Sequence, residues 1–261
     1  MESWPAAIAD LPAPFDAERA ARLAEKLAGA HLDAGFMRLV AFVAGSSPYL
    51  AQSMTREAAL LSVLQSDGAL AVAEAEIGAA HAARDLPPAE LSAALRIAKR
   101  RAALAIALGD VAGALDLDLV TALLTRLADA ALQSSLYAAL KAEVAAGRFR
   151  PADPADPVRD SGIIVLAMGK YGAFELNYSS DIDFTVFFDG DILPVAAGVE
   201  PVPFLVRVVK QVVKTLQERT GEGYVFRTDL RLRPDAGATQ VAISTAAAAL
   251  YYEGMGQNWE R

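Results

Sequence analysis

Ser179-Ser180-Asp181-Ile182-Asp183-Phe184-Thr185-Val186-Phe187-Phe188 carries two patterns at once. Ile182, Phe184, Val186 and Phe188 alternate along an extended chain and form an apolar face suited to a core. Asp181 and Asp183, two residues apart, project from the opposite face. Carboxylates forced onto one face repel each other and lose hydration, and a divalent cation between them relieves both penalties. The stretch therefore reads as a strand over 182–188 with an acidic pair at its start.

The neighbouring segments extend this α/β grammar. Ile163-Ile164-Val165-Leu166 is a short apolar run read as a buried strand. Gly169-Lys170-Tyr171-Gly172 then forms a two-glycine turn, followed by a short helical stretch expected around Phe174 and Glu175. Its backbone N–H groups suit a phosphate, with Lys170 as a point charge. Ser179 and Ser180 stand where they can hydrogen-bond phosphate or orient a carboxylate. Downstream, the stretch 204–218 is amphipathic, with Leu205, Val208, Val209, Val212, Val213 and Leu216 on one side. Arg207, Lys210, Lys214 and Gln217 fall mainly on the other. The stretch 224–232 reads as a third strand in period two. Tyr224, Phe226, Thr228, Leu230 and Leu232 share one face; Val225, Arg227, Asp229, Arg231 and Arg233 share the other. Set beside the acidic pair, Asp229 completes a three-carboxylate site, flanked by arginines whose planar forks suit phosphate oxygens.

Each signal has an ordinary reading as well. Asp-x-Asp is common on exposed strands, a two-glycine turn is most often only a turn, and arginines at a strand end are usually solvated. Their order and spacing are more specific than any one of them.

Before this region the pattern is helical from about residue 16 to 147. A helix expected over 90–108 opens after Pro87-Pro88, with Gly109 as its stop, and a second runs over 119–144 to Gly147. The alanine-rich helices suggest a close-packed bundle serving as scaffold or partner surface. Pro151, Pro154 and Pro157, three residues apart, mark an extended connector. The expected organisation is a helical domain over 1–150 and a sheet-bearing catalytic domain over 151–261. The fold class is α+β, mostly helical: a helical bundle followed by a mixed β-sheet.

Composition narrows the chemistry. With no cysteine there is neither a disulfide framework nor a thiolate metal site. His31 and His81 lie far apart in helix-like surroundings and read as packing or surface residues. A metal must then be held by oxygen, which favours Mg²⁺ or Mn²⁺. The net charge of −8 disfavours a broad nucleic-acid-coating face. No apolar run is long enough to cross a bilayer, and Asp10, Pro12, Pro14 and Asp16 interrupt any signal-peptide pattern. A cytoplasmic location is expected, and Asn177-Tyr178-Ser179 reads as a chance sequon.

The order strand, Gly-Lys-x-Gly, Ser-Asp-x-Asp, helix, Asp-bearing strand resembles the nucleotidyltransferase superfamily. Met168 to Asp183, the Tyr224 to Pro234 stretch, Tyr251-Tyr252-Glu253 and Trp259-Glu260-Arg261 narrow it. Together with Ser47-Pro48-Tyr49-Leu50 and Lys99-Arg100-Arg101, they resemble the bacterial glutamine synthetase adenylyltransferase/adenylyl-removing enzymes over nearly the whole chain. Tyr171, Ala173 and Phe174 depart from that family's smaller, more glycine-rich turn. The family's polypeptides are several times longer, so an N-terminal piece truncated on its C-terminal side is expected.

The resemblance implies two Mg²⁺ ions, with Mn²⁺ as a substitute, at Asp181, Asp183 and Asp229 as catalytic and metal-binding carboxylates. It further implies phosphate or nucleotide contacts from Gly169, Lys170, Gly172, Ser179, Ser180, Arg227, Arg231 and Arg233. The lead-in Glu-Leu-Asn-Tyr-Ser-Ser resembles the adenylyl-removing domain. The implied reaction is phosphorolysis of AMP from a glutamine synthetase tyrosine, giving ADP. Two alternatives stay open: AMP transfer from ATP to that tyrosine, and a catalytically silent regulatory module. The implied partners are glutamine synthetase and a PII-type signalling protein, with glutamine as an effector, and neither nucleic acid nor membrane.

Overall fold

The computed structural model describes residues 4–256, so the Trp259-Glu260-Arg261 motif lies outside the described residues. Helices occupy the first half: α1 (Ala17–Lys26), α2 (Ala34–Ser46), α3 (Pro48–Arg56), α4 (Ala58–Asp67), α5 (Ala69–Ala82), α6 (Pro88–Val111) and α7 (Leu117–Ala145). Their starts follow from side-chain caps. Asp16 accepts from Arg19 N at 2.8 Å, Asp33 from Phe36 N at 2.8 Å, and Asp116 from Leu119 N at 2.8 Å. Ser47 caps α3 directly before Pro48, which suits the first helical position.

α6 does not stop at Gly109 as the sequence predicts; it runs on to Val111. A Cβ at Gly109 would stand 2.7 Å from both Ala69 Cβ and Leu115 Cδ1. This glycine therefore permits close packing inside a helix, and the chain turns at Gly113, whose φ is +69°. None of the described helices is long and apolar enough to cross a membrane.

Packing divides the chain into two compact units across the long helices. One comprises residues up to Ala79 with Ile97–Leu127, the other Ala80–Arg96 with everything from Ala128 onward. In the first unit Leu39, Met54, Leu61, Leu64, Leu104 and Leu123 are buried in an aliphatic core. Within it Glu57 accepts from Arg100 Nε at 2.9 Å and Arg101 Nε at 2.6 Å, and Arg101 also faces Glu76 at 3.6 Å.

The second unit holds the sheet. β1 (Ile163–Met168) runs antiparallel to β2 (Ile182–Phe188), with Met168 opposite Asp183. The far edge of β2 is shared by two short parallel strands: β3 (Thr228–Asp229) along Ile182–Asp183, and β4 (Ala242–Ser244) along Val186–Phe188. α8 (Gly169–Gly172) is a single turn after β1, α9 (Pro201–Gln217) packs its apolar side inward, and α10 (Thr245–Gly254) follows β4. Leu132, Phe184, Val186, Leu205, Val208 and Val212 line one apolar seam. The proline-spaced connector lies inside this unit, where Arg150 N donates to Pro194 O at 2.8 Å and Tyr137 Oη stands 2.7 Å from Ala155 O.

Two strand expectations change. β1 is an edge strand rather than a buried one, with Ile164 41% and Leu166 46% exposed. The third strand contracts to Thr228–Asp229. Val225 and Phe226 are both buried, and both donate their backbone N–H to Leu216 O at the end of α9. That carbonyl is an orphan of the helix terminus, and satisfying it replaces the pleat the alternation predicts.

Candidate functional site

The sheet brings the two predicted acidic segments together. Parallel register places Asp229 of β3 directly beside Asp183 of β2, so their side chains share a face. Asp181 stands immediately before β2 and two residues from Asp183. Burial, then the charges of Asp229 and Asp181, push the Asp183 carboxyl above its ordinary range.

Arginines hold the outer two acids. Arg231 grips Asp229 with Nη2 at 2.5 Å and Nε at 2.8 Å from Oδ2, and its backbone N–H donates to Oδ1 at 2.8 Å. These hydrogen bonds keep Asp229 below the usual carboxylate range despite partial burial. Arg227 reaches Asp181 Oδ1 at 2.5 Å through Nε and the Ser179 carbonyl at 2.5 Å through Nη2. Both arginines lie at the exposed rim.

The Gly-Lys-Tyr-Gly turn closes the inner side. Gly169 adopts φ +54°, and a Cβ there would stand 3.0 Å from Asp183 Oδ2, so the backbone lies directly against that carboxylate. A Cβ at Gly172 would stand 2.4 Å from the Ala167 carbonyl, which fixes glycine where the turn folds back on β1. The helical turn falls at 169–172, one turn earlier than expected. Phe174 instead takes φ +61°, and Glu175 N returns to Lys170 O at 2.8 Å. Lys170 is exposed.

Ser180 Oγ bonds Asn177 Oδ1 at 2.8 Å within a local turn, and Ser179 contributes its carbonyl rather than its hydroxyl to the Arg227 contact. Arg233 points elsewhere. Its donors go to the carbonyls of Leu230 (2.7 Å), Ala236 (2.8 Å), Gln240 (3.1 Å) and Thr239 (3.2 Å), stapling the loop that joins β3 to β4.

Among the described residues, no three His, Cys, Asp or Glu side chains converge as they stand to hold a metal ion. The donor set nonetheless fits a hard cation. It is all carboxylate, and the proton affinity of Asp183 reports negative charge that a cation would neutralise.

Sequence reasoning missed two residues in this unit. Tyr171 Oη donates to Asp129 Oδ1 at 2.6 Å, and buried Arg96 bonds the carbonyls of Glu218 and Gly223. Their partners lie 42, 122 and 127 residues away, so no local pattern announces them.

The chain is thus a mostly helical α+β protein whose small mixed sheet sets Asp183 and Asp229 on neighbouring strands. A model of the glutamate-ammonia ligase adenylyltransferase family matches residues 37–261, and the chain belongs to that family. It is 45% identical to a bifunctional glutamine synthetase adenylyltransferase/adenylyl-removing enzyme of Rhodopseudomonas palustris (strain BisB5), over 96% of this chain and 27% of that protein. It is 49% identical to the Xanthobacter autotrophicus enzyme of the same description, over 84% of this chain and 22% of that one. A Bradyrhizobium sp. (strain ORS 278) relative of that description is 54% identical over 66% of this chain and 18% of its own length. The chain thus spans about a fifth to a quarter of the length of the curated relatives it matches.

Proposed function

We propose that this chain carries the adenylyl-removing reaction toward glutamine synthetase: phosphorolysis of the AMP–tyrosine bond, giving ADP and free tyrosine. The observation that carries the reading is the registration of Asp183 beside Asp229, with the Gly169 backbone against Asp183 and Asp181 alongside. Such crowding of acids is costly in a structural role and useful in one that handles phosphoryl charge.

In this reading an oxygen of inorganic phosphate attacks the phosphorus of the adenylyl group. The bond from phosphorus to the tyrosine oxygen breaks, and the proton given up by phosphate ends on the departing tyrosine. Asp181, Asp183 and Asp229 would hold Mg²⁺ or Mn²⁺, which supplies charge neutralisation to the transferring group when bound. The Gly169 backbone lies against Asp183, and exposed Lys170 beside it would supply a positive charge to substrate phosphate oxygens. The forks of Arg227 and Arg231, at the rim, orient the outer acids and match phosphate geometry. Arg233 acts by shaping the loop after Asp229.

The direction of transfer rests on the resemblance of the Glu-Leu-Asn-Tyr-Ser-Ser lead-in, since one carboxylate set serves removal and addition alike. Regulation by a PII-type protein and by glutamine belongs to the same proposal. The test is ADP formation on mixing the chain with adenylylated glutamine synthetase, Mg²⁺ and phosphate. Phosphate-dependent ADP that disappears in Asp181→Ala/Asp183→Ala supports the reading. AMP incorporation from ATP without phosphorolysis assigns the opposite direction, and neither reaction in a folded chain refutes the catalytic reading.

A further inference from the structure

The turn that lies against Asp183 has little of its own to hold it. α8 is one turn long, has no side-chain cap, and is closed by short-range backbone bonds such as Ala173 N to Gly169 O at 3.0 Å and Glu175 N to Lys170 O at 2.8 Å. A single helical turn is unstable in isolation, because few bonds repay the ordering of its dihedrals. Three of its four residues, Gly169, Lys170 and Gly172, are exposed. The fourth is the exception: Tyr171 is 2% exposed, and its hydroxyl donates to Asp129 Oδ1 on α7 at 2.6 Å.

That contact is built to persist. A phenol donating to a carboxylate makes a charge-assisted bond, stronger than a neutral one. Burial and the Asp129 charge both push the Tyr171 hydroxyl upward, so it stays a protonated donor. The turn is therefore held at one side by Tyr171 and meets Asp183 through Gly169 at the other, with no room for a Cβ at Gly172 and only a tight 3.0 Å contact for one at Gly169.

We propose that the Tyr171–Asp129 hydrogen bond is a strut that clamps the Gly169–Gly172 turn against the Asp183 carboxylate, making Tyr171 and Asp129 positioning residues for Asp183 and Lys170. The clamp itself is a statement about structure; its consequence for nucleotide rests on the proposed function above.

The test compares the whole chain with Tyr171→Phe, Asp129→Ala and Asp129→Asn in amide hydrogen exchange over 169–175, together with Mg–ADP affinity by calorimetry. Tyr171→Phe keeps the ring and removes only the donor; Asp129→Asn keeps an oxygen acceptor. Loss of the bond is expected to speed exchange at Ala173 and Glu175 by about tenfold and to weaken Mg–ADP by about three- to tenfold. β2 amides should be unchanged, and Asp129→Asn should recover most of both effects. Unchanged exchange in a folded Tyr171→Phe chain overturns the strut. Faster exchange spread evenly over β1 and β2 also overturns it, by showing general support rather than positioning. Faster exchange in the turn with unaltered Mg–ADP affinity overturns the positioning of the site. If the unaltered chain binds no Mg–ADP, the proposed function and the positioning role fall together, and the exchange comparison alone decides the strut.

Discussion

Replacing Arg96 by alanine should destabilise the second unit more than almost any other single change to a charged residue. The guanidinium is 1% exposed and sends Nε to Gly223 O at 2.9 Å and Nη2 to Glu218 O at 2.5 Å, with Nη1 at 2.6 Å from Ser92 O. It thereby ties the end of α9 and the following turn to α6, just before the chain enters Val225, Phe226 and β3. Alanine strands the Glu218 carbonyl, at about 1–3 kcal/mol for an acceptor left dry, whereas the Gly223 carbonyl keeps the Thr220 N–H at 2.9 Å. Water recovers part of this, because Glu218 is exposed and Gly223 is half-buried. Relief from burying a charge, which depresses the Arg96 pKa, offsets a further share. The net expectation is a loss of about 1–2 kcal/mol, read as a lower urea midpoint with an unchanged slope. Arg96→Lys should recover less than half, since a single ammonium cannot span both carbonyls as the fork does. A midpoint for Arg96→Ala within about 0.5 kcal/mol of the unaltered chain, or full rescue by lysine, refutes the reasoning.

Other outcomes follow from the same geometry. Asp183→Asn removes a carboxylate crowded by Asp229 and Asp181, so thermal melting should show stability up by about 0.5–1 kcal/mol while adenylyl removal is lost; a less stable variant contradicts the crowding. Gly172→Ala forces a methyl to within 2.4 Å of the Ala167 carbonyl and should cost about 1–3 kcal/mol in urea unfolding, whereas Gly198→Ala, with open space around it, is strained only by its φ of +79° and should cost about 1 kcal/mol. For Glu57, burial pulls the pKa up, but hydrogen bonds and charges from Arg101 and Arg100 outweigh it and hold the carboxyl below its ordinary value. Its stabilisation is therefore complete above the unfolded pKa and lost as pH falls through the lower folded one. Glu57→Gln should flatten the decline in stability below about pH 4.5; an equally steep decline in that variant contradicts the assignment.

How much of this was legible in the sequence depends on how far each feature reaches along the chain. β2 matches its expected bounds, because the alternation of Ile182, Phe184, Val186 and Phe188 is strong, although Thr185 and Phe187 on the other face are buried as well. α9 was equally plain, its valine and leucine stripe being wide; its start moved to Pro201 and its end to Gln217. The sequence left the Asp183–Asp229 adjacency conditional on the two strands being neighbours, and the parallel register sets the two residues side by side. The readings that changed did so where a specific partner overrode local pattern. Alternation from Tyr224 to Leu232 was genuine in the sequence, yet the α9 terminus claimed the N–H groups of Val225 and Phe226. Gly109 looked like a helix stop until Ala69 and Leu115 closed on it. Arg233 looked like a phosphate ligand, while its donors serve four carbonyls of its own loop. Tyr171, read as a departure in a glycine-rich turn, has a half-buried partner, Asp129, that only the fold supplies.

The most direct test of the account is Mn²⁺ binding followed by electron paramagnetic resonance in the unaltered chain and in Asp181→Asn, Asp183→Asn and Asp229→Asn, each with ADP present. The account predicts nucleotide-dependent Mn²⁺ binding whose affinity falls by about tenfold or more in every variant. Mn²⁺ bound as tightly by all three variants as by the unaltered chain would contradict it, and the aspartates would then be a structural ion-pair cluster with Arg227 and Arg231.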